Sequence, residues 1–129
     1  MDFHDQHKLE TYKSMVTISL EAIRTLFLLN GGAIVALLAY LGQVAAKGGP
    51  SVDISRPLTF FIVGLSLVPV AYGFSYWTQF SLFNEAVHRK NEERHMWFVV
   101  CTVVSLVASL AGFILGAIDG ARALSATSA

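Results

Sequence analysis

Charge is scarce in this chain: 14% of its 129 residues are Asp, Glu, Lys or Arg, against about a quarter in a soluble domain. The nine basic residues are matched by nine acidic ones, so the concentrated Lys/Arg excess that nucleic acid phosphates require is missing. A single cysteine, Cys101, rules out an internal disulfide framework. It falls inside an apolar run, where it serves as a small packing residue. The sequence has no Ser/His/Asp or Cys/His nucleophile arrangement, no phosphate-cradling glycine loop after a strand and no zinc spacing. We therefore expect no enzymatic activity and no cofactor.

What is present is apolar: 54% of residues are hydrophobic and the mean hydropathy is +0.58. Three runs, 26–46, 58–77 and 97–118, are long enough to cross a hydrocarbon core of roughly 30 Å at about 1.5 Å per helical residue. The predicted fold is all-α, an integral membrane bundle of three transmembrane helices forming a single membrane domain over 1–129. The first run is not expected to be a cleaved signal peptide, because its length is that of a full span and the charges before it are mixed. No lipidation motif stands at either end. No span carries an ionisable residue at its centre, which counts against a proton or ion carrier. Pro57 suits the first turn of the second helix, whereas Pro69 falls inside it and removes one backbone hydrogen bond.

Lys8, Lys13, Arg24, Arg89, Lys90 and Arg94 flank the spans on one side, and only Lys47, Arg56 and Arg122 on the other. By the positive-inside rule the N-terminus and the second connection are cytoplasmic. Trp77 and Trp97 then mark one membrane interface, beside Arg89, Lys90 and Arg94. Apolar residues continue at helical steps outside the spans: Leu9, Tyr12, Val16, Leu20 and Ile23 before the first, Phe80, Phe83 and Val87 after the second. Segment 1–25 is thus expected as a cytoplasmic amphipathic helix, so that helices one and two extend into the cytoplasm, with 78–96 a cytoplasmic hairpin. The alternative for 1–25 is a helix lying flat on the membrane. The tail, 119–129, is small and polar and is expected to fray.

Within the first span, "LFLLNGGAIVALLAYLG" places Asn30, Gly31 and Gly32 where leucines would make a simpler anchor. Lipid supplies no hydrophobic force between helices, so their association rests on close backbone approach and interhelical hydrogen bonds. Gly32 and Ala36 are four apart, and Ala108, Gly112, Gly116 and Gly120 recur every four residues, with Ser105 and Ser109 on an adjoining face. These residues are the expected helix contacts, made within the chain or to another. Asn30 is expected to donate to a neighbouring helix; lining a water path or anchoring at the headgroups are the alternatives.

Two Glu-x-x-His units, Glu85/His88 and Glu92/His95, invite a metal-binding reading, since such units on facing helices build di-iron sites. Both surround one turn with Arg89, Lys90 and Arg94, which would repel a cation. A solvated hairpin tip is the expected reading, and metal the alternative.

The phrase "LLNGGAIVALLAYLG" after a short amphipathic helix resembles a run seen in small, mostly uncharacterised bacterial multi-span membrane proteins. That resemblance implies a bacterial inner-membrane location and brings no catalytic residues. The chain is expected to work as a non-enzymatic, self-associating structural or accessory component, its partners being the lipid bilayer and either further copies or another membrane protein. A pore-forming or membrane-permeabilising effector and a metal-binding membrane protein are the alternatives.

Overall fold

Nothing between residues 3 and 46 stops a helix once started, since the segment has no proline and its three glycines, Gly31, Gly32 and Gly42, stand among better helix formers. In the computed structural model, which describes the backbone of residues 3–49, 52–88 and 94–126 and the side chains of 6–49, 52–84 and 95–125, this segment is one helix, α1 (Phe3–Ala46). Two more follow, α2 (Ser55–His88) and α3 (Arg94–Ala126). All three are long and apolar enough to cross a membrane. At 44 residues α1 is about 66 Å long, twice the hydrocarbon core. It runs from its N-terminal segment into the apolar run without interruption, so 6–25 is part of the same rod.

The connection between α1 and α2 is built from its own residues. Gly48, at a φ of 65°, adopts the left-handed conformation that ends a helix without a side-chain penalty. Its N–H donates to the Ala45 carbonyl and that of Gly49 to the Val44 carbonyl, satisfying carbonyls that the last turn would otherwise leave open. At the start of α2 the Ser55 N–H and hydroxyl both donate to Asp53 Oδ1, at 2.9 and 2.6 Å. The hydroxyl bond first, and the backbone bond second, hold the Asp53 carboxyl below its ordinary pKa.

Helices α2 and α3 form the tightest pair, antiparallel and in register over their whole apolar length. A methyl group built on Gly120 would touch Pro57 at 3.7 Å, and one on Gly116 would strike the Phe61 ring at 2.8 Å. Phe61 also meets Phe113, with ring centroids 5.8 Å apart, and near the other end Trp77 stacks on Phe98 at 6.2 Å. Asp119 lies between Arg56 at 3.8 Å and Arg122 at 3.9 Å. Helix α1 lies against this pair through Ile23 and Leu26, which bury with Val68 and against Leu106.

Few apolar side chains are inside. Ile23, Leu26, Ile54, Phe61, Val68 and Ala71 are buried, while residues as large as Trp97 (70% exposed) and Val35 (67%) face outward. In water such contiguous apolar surface would drive aggregation; in lipid it is the solvated face.

The structure departs from the sequence-based expectations in two places. Residues 119–126 are helical rather than frayed: α3 continues through Ala126, seated by the Gly120 contact with Pro57 and by the Asp119 ion pairs, and the Ser125 hydroxyl donates to the Arg122 carbonyl. The expected hairpin 78–96 is no departure: its residues up to His88 and from Arg94 are helix, and 89–93 lie outside the described residues. The second departure is register. Tyr12 donates its hydroxyl to Gln79 Oε1, Ile23 meets Val68, and Asn30 lies beside Gly64. The level of Trp77 on α2 therefore corresponds to about residue 16 on α1, some ten residues or about 15 Å before the apolar run at 26 begins. Hydropathy finds where a run is apolar; packing decides which part of each rod shares a depth.

Candidate functional site

Of the buried polar residues Asn30, Thr78, Ser105 and Ser109, two meet at one point. Asn30 of α1 and Ser109 of α3 have no exposed surface. Asn30 Nδ2 donates to the carbonyl of Leu26, one turn back on its own helix, at 3.0 Å, and to Ser109 Oγ at 3.3 Å. Ser109 Oγ in turn donates to the carbonyl of Gly64 on α2 at 2.7 Å. The chain of donors thus runs from α1 through α3 to α2, tying three helices at one level. Asn30 Oδ1 is buried with no hydrogen-bond partner among the described residues. It faces the backbone of Gly64, where a Cβ would collide with it and would also approach Asn30 Cγ at 3.0 Å and the Ser109 carbonyl oxygen at 3.1 Å. Gly64 makes the node possible by having no side chain.

Gly64 is absent from the sequence-based candidates because no second small residue stands four positions from it. The available signal was its place, a lone glycine amid large apolar residues opposite a span holding an unexplained Asn.

The small-residue stripe on α3 faces α2 of the same chain. Buried along it are Ser105, Ser109, Gly112, Gly116 and Gly120, so the serines share the face of the glycines and do not adjoin it. A methyl group on Gly112 would lie 3.1 Å from the Phe60 carbonyl oxygen and 3.3 Å from Gly64 Cα, so two backbones touch there. Ala108, expected as the fourth member of the row, is exposed instead. Steps of four residues drift by about 40° each around a helix, and three steps from Gly120 carry Ala108 off the contact. On α1, Gly31 comes within 3.9 Å of Leu65 through its built methyl, while Gly32 has nothing within 4 Å and Ala36 is exposed. Gly32 and Ala36 therefore lie outside the chain's own packing.

Two grooves flank the node. Toward Trp77, a groove of about 400 Å³ is lined by Tyr12, Ser19, Tyr72, Ser75, Gln79 and Thr102 among apolar residues. Most of its hydroxyls are spent locally: Ser19, Thr78 and Thr102 each donate to the carbonyl four residues back, and Tyr12 to Gln79. Tyr72, Ser75 and Tyr76 supply the other hydroxyls along its wall. Between α1 and α2, a second groove of about 710 Å³ is almost wholly apolar, lined by Ile23, Phe27, Leu65, Val68 and Pro69, with Arg24 as its one charge.

Trp77 and Trp97 are both exposed at the end where α2 and α3 approach their turn. The side chains of Glu85, His88, Arg89, Lys90, Glu92 and Arg94 lie outside the described residues, and His95 is half-buried. Among the described residues no group of three His, Cys, Asp or Glu side chains could hold a metal ion. Protein purified in detergent is expected to carry no stoichiometric iron, manganese or zinc. Metal that vanishes in the His88→Ala, His95→Ala double variant would reverse this.

The helices thus bring together Asn30, Gly31, Gly112, Gly116 and Gly120, and leave Gly32, Ala36 and Ala108 on outer faces. Compared with known proteins, the chain matches no family model, no curated protein and no solved structure.

Proposed function

We propose that this chain is a non-enzymatic building block of a larger membrane assembly, a three-helix subunit that self-associates in a bacterial inner membrane. The observation that carries the reading is the division of small residues: the α3 glycines are consumed in sealing α2 to α3, whereas Gly32 and Ala36 leave a close-approach face on α1 unused by the chain itself. Around them α1 is broadly exposed, with Leu28 at 62% and Val35 at 67%. The mass of the protein in nanodiscs tests it. A multiple of 14.0 kDa is expected for the wild type, with a lower mass for Gly32→Leu at unchanged helix content. A wild type running at 14.0 kDa would refute self-association.

The N-terminus of this subunit faces the cytoplasm in our reading, on the strength of Lys8, Lys13, Arg89, Lys90 and Arg94 on that side, with Arg24 left out because it lines the groove at the level of Pro69, against three on the other. With Cys101 replaced by Ala, Ala46→Cys is expected to react with an impermeant thiol reagent in intact cells and Gln6→Cys to stay unlabelled. The opposite pattern would invert the topology.

A further inference from the structure

The register of the helices puts two charges of α1 where the sequence puts none. The apolar slab shared by α2 and α3 is bounded by the Arg56–Asp119 pair at one end and by the Trp77–Phe98 stack at the other. From Pro57 to Trp77 is 20 residues, about 30 Å, which is the thickness of a hydrocarbon core. Arg24 lines the groove with Leu65, Ser66, Val68 and Pro69, hence at the level of Pro69, eight residues or about 12 Å inside Trp77. Glu21 precedes it by one turn. Both are exposed, and neither has an ion-pair partner among the described residues.

Charges at this depth are costly unless paired, and they occur where protein rather than lipid covers them. A lipid phosphate is a poor partner, since it lies at the headgroups outside the slab. The groove walls offer no carboxylate to Arg24, and Glu21 lies outside the groove's lining. A second copy of this chain offers both. Its α1 carries the same two charges one turn apart, on a helix whose exposed row of Ile18, Glu21, Thr25, Leu28, Gly32 and Val35 follows the three- and four-residue steps of a helix-packing face.

We infer that a second copy seats its α1 against the groove between α1 and α2, pairing Glu21 of one copy with Arg24 of the other at membrane depth. This rests on the self-association proposed above and names its interface. It also supplies a reason for the glycine: Gly32 lies on the same exposed row and lets the two helices approach closely.

Charge reversal tests it. Glu21→Arg makes both positions cationic and Arg24→Glu makes both anionic, so each variant alone is expected at 14.0 kDa in nanodiscs. Co-expressed with different tags, the two variants are expected to capture one another at least tenfold better than either captures itself, and this rescue shows that both are folded. The double variant carrying Glu21→Arg with Arg24→Glu should recover the wild-type mass. A wild-type oligomer whose mass neither single variant changes would overturn the interface while leaving self-association standing, and would mean that the two charges neutralise each other along one helix. A monomeric wild type would overturn both. Native mass spectra in which Arg24→Glu loses only a bound anionic lipid, with the protein mass unchanged, would assign Arg24 to a headgroup and equally overturn the pairing.

Discussion

Gly64→Ala is expected to destabilise the bundle severely for a single methyl group, and the loss is expected to depend on Asn30. The added carbon has no room: Asn30 Oδ1 occupies its position, and the Ser109 carbonyl stands 3.1 Å away. Asn30 is fully buried and its amide is held by Leu26 and Ser109, so its oxygen cannot swing clear without breaking the link between α1 and α3. A forced shift of this kind costs about 1–3 kcal/mol, and losing an interhelical hydrogen bond in a membrane adds about 0.6 kcal/mol. Against this stands the roughly 1 kcal/mol by which alanine improves on glycine in a helix, so the net sign remains destabilising. In an Asn30→Ala background the hardest collision disappears, only the 3.1 Å approach to the Ser109 carbonyl is left, and the penalty of Gly64→Ala should shrink. Reversible unfolding in mixed micelles across the four variants measures the coupling. Equal penalties in both backgrounds would mean that Gly64 and Asn30 do not meet.

The double substitution Gly112→Leu, Gly116→Leu is expected to open the chain without first changing its oligomeric state. At Gly112 the obstacles are the Phe60 carbonyl oxygen and the Gly64 backbone, which yield only if α2 and α3 separate. At Gly116 the obstacle is the Phe61 ring, itself buried and held against Phe113. Overpacking costs about 1–3 kcal/mol per site, and the two sites, one turn apart on the same contact, are expected to couple. Leucine favours insertion, so the spans should still enter the membrane. Limited proteolysis is expected to cut the variant in the parts of α1 and α2 beyond the apolar slab while the wild type resists. Retained protease resistance would contradict the assignment of this stripe to the chain's own interior. Gly32→Leu is the contrasting case, with open space around it in the single chain and its effect expected in mass alone.

Much of this architecture was legible before any tertiary structure. Apolar runs of spanning length, few charges and an absence of breakers left three long helices as the only way to satisfy the backbone in lipid. The glycines at 112, 116 and 120 announced a close contact, and Asn30 an interhelical donor, because small and polar residues in such runs have little other use. The partners of these residues were not legible. A glycine pattern shows that something approaches without saying what, so Phe60, Phe61 and Gly64 emerged only when α2 lay against the stripe. Gly64 itself, lacking a repeat, carried no periodic signal.

The sequence by itself determined that the chain forms three helices apolar enough to span a membrane and where each is most apolar, because these follow from backbone satisfaction and side-chain transfer, both local properties. Only the tertiary structure decided which faces meet and at what relative height. The contacts that set height are few and long-range: Tyr12 with Gln79, Ile23 with Val68, Asn30 with Ser109 and Gly64. They slide α1 by about 15 Å relative to the register its own hydropathy would choose, and so carry Glu21 and Arg24 to a depth at which charges call for partners.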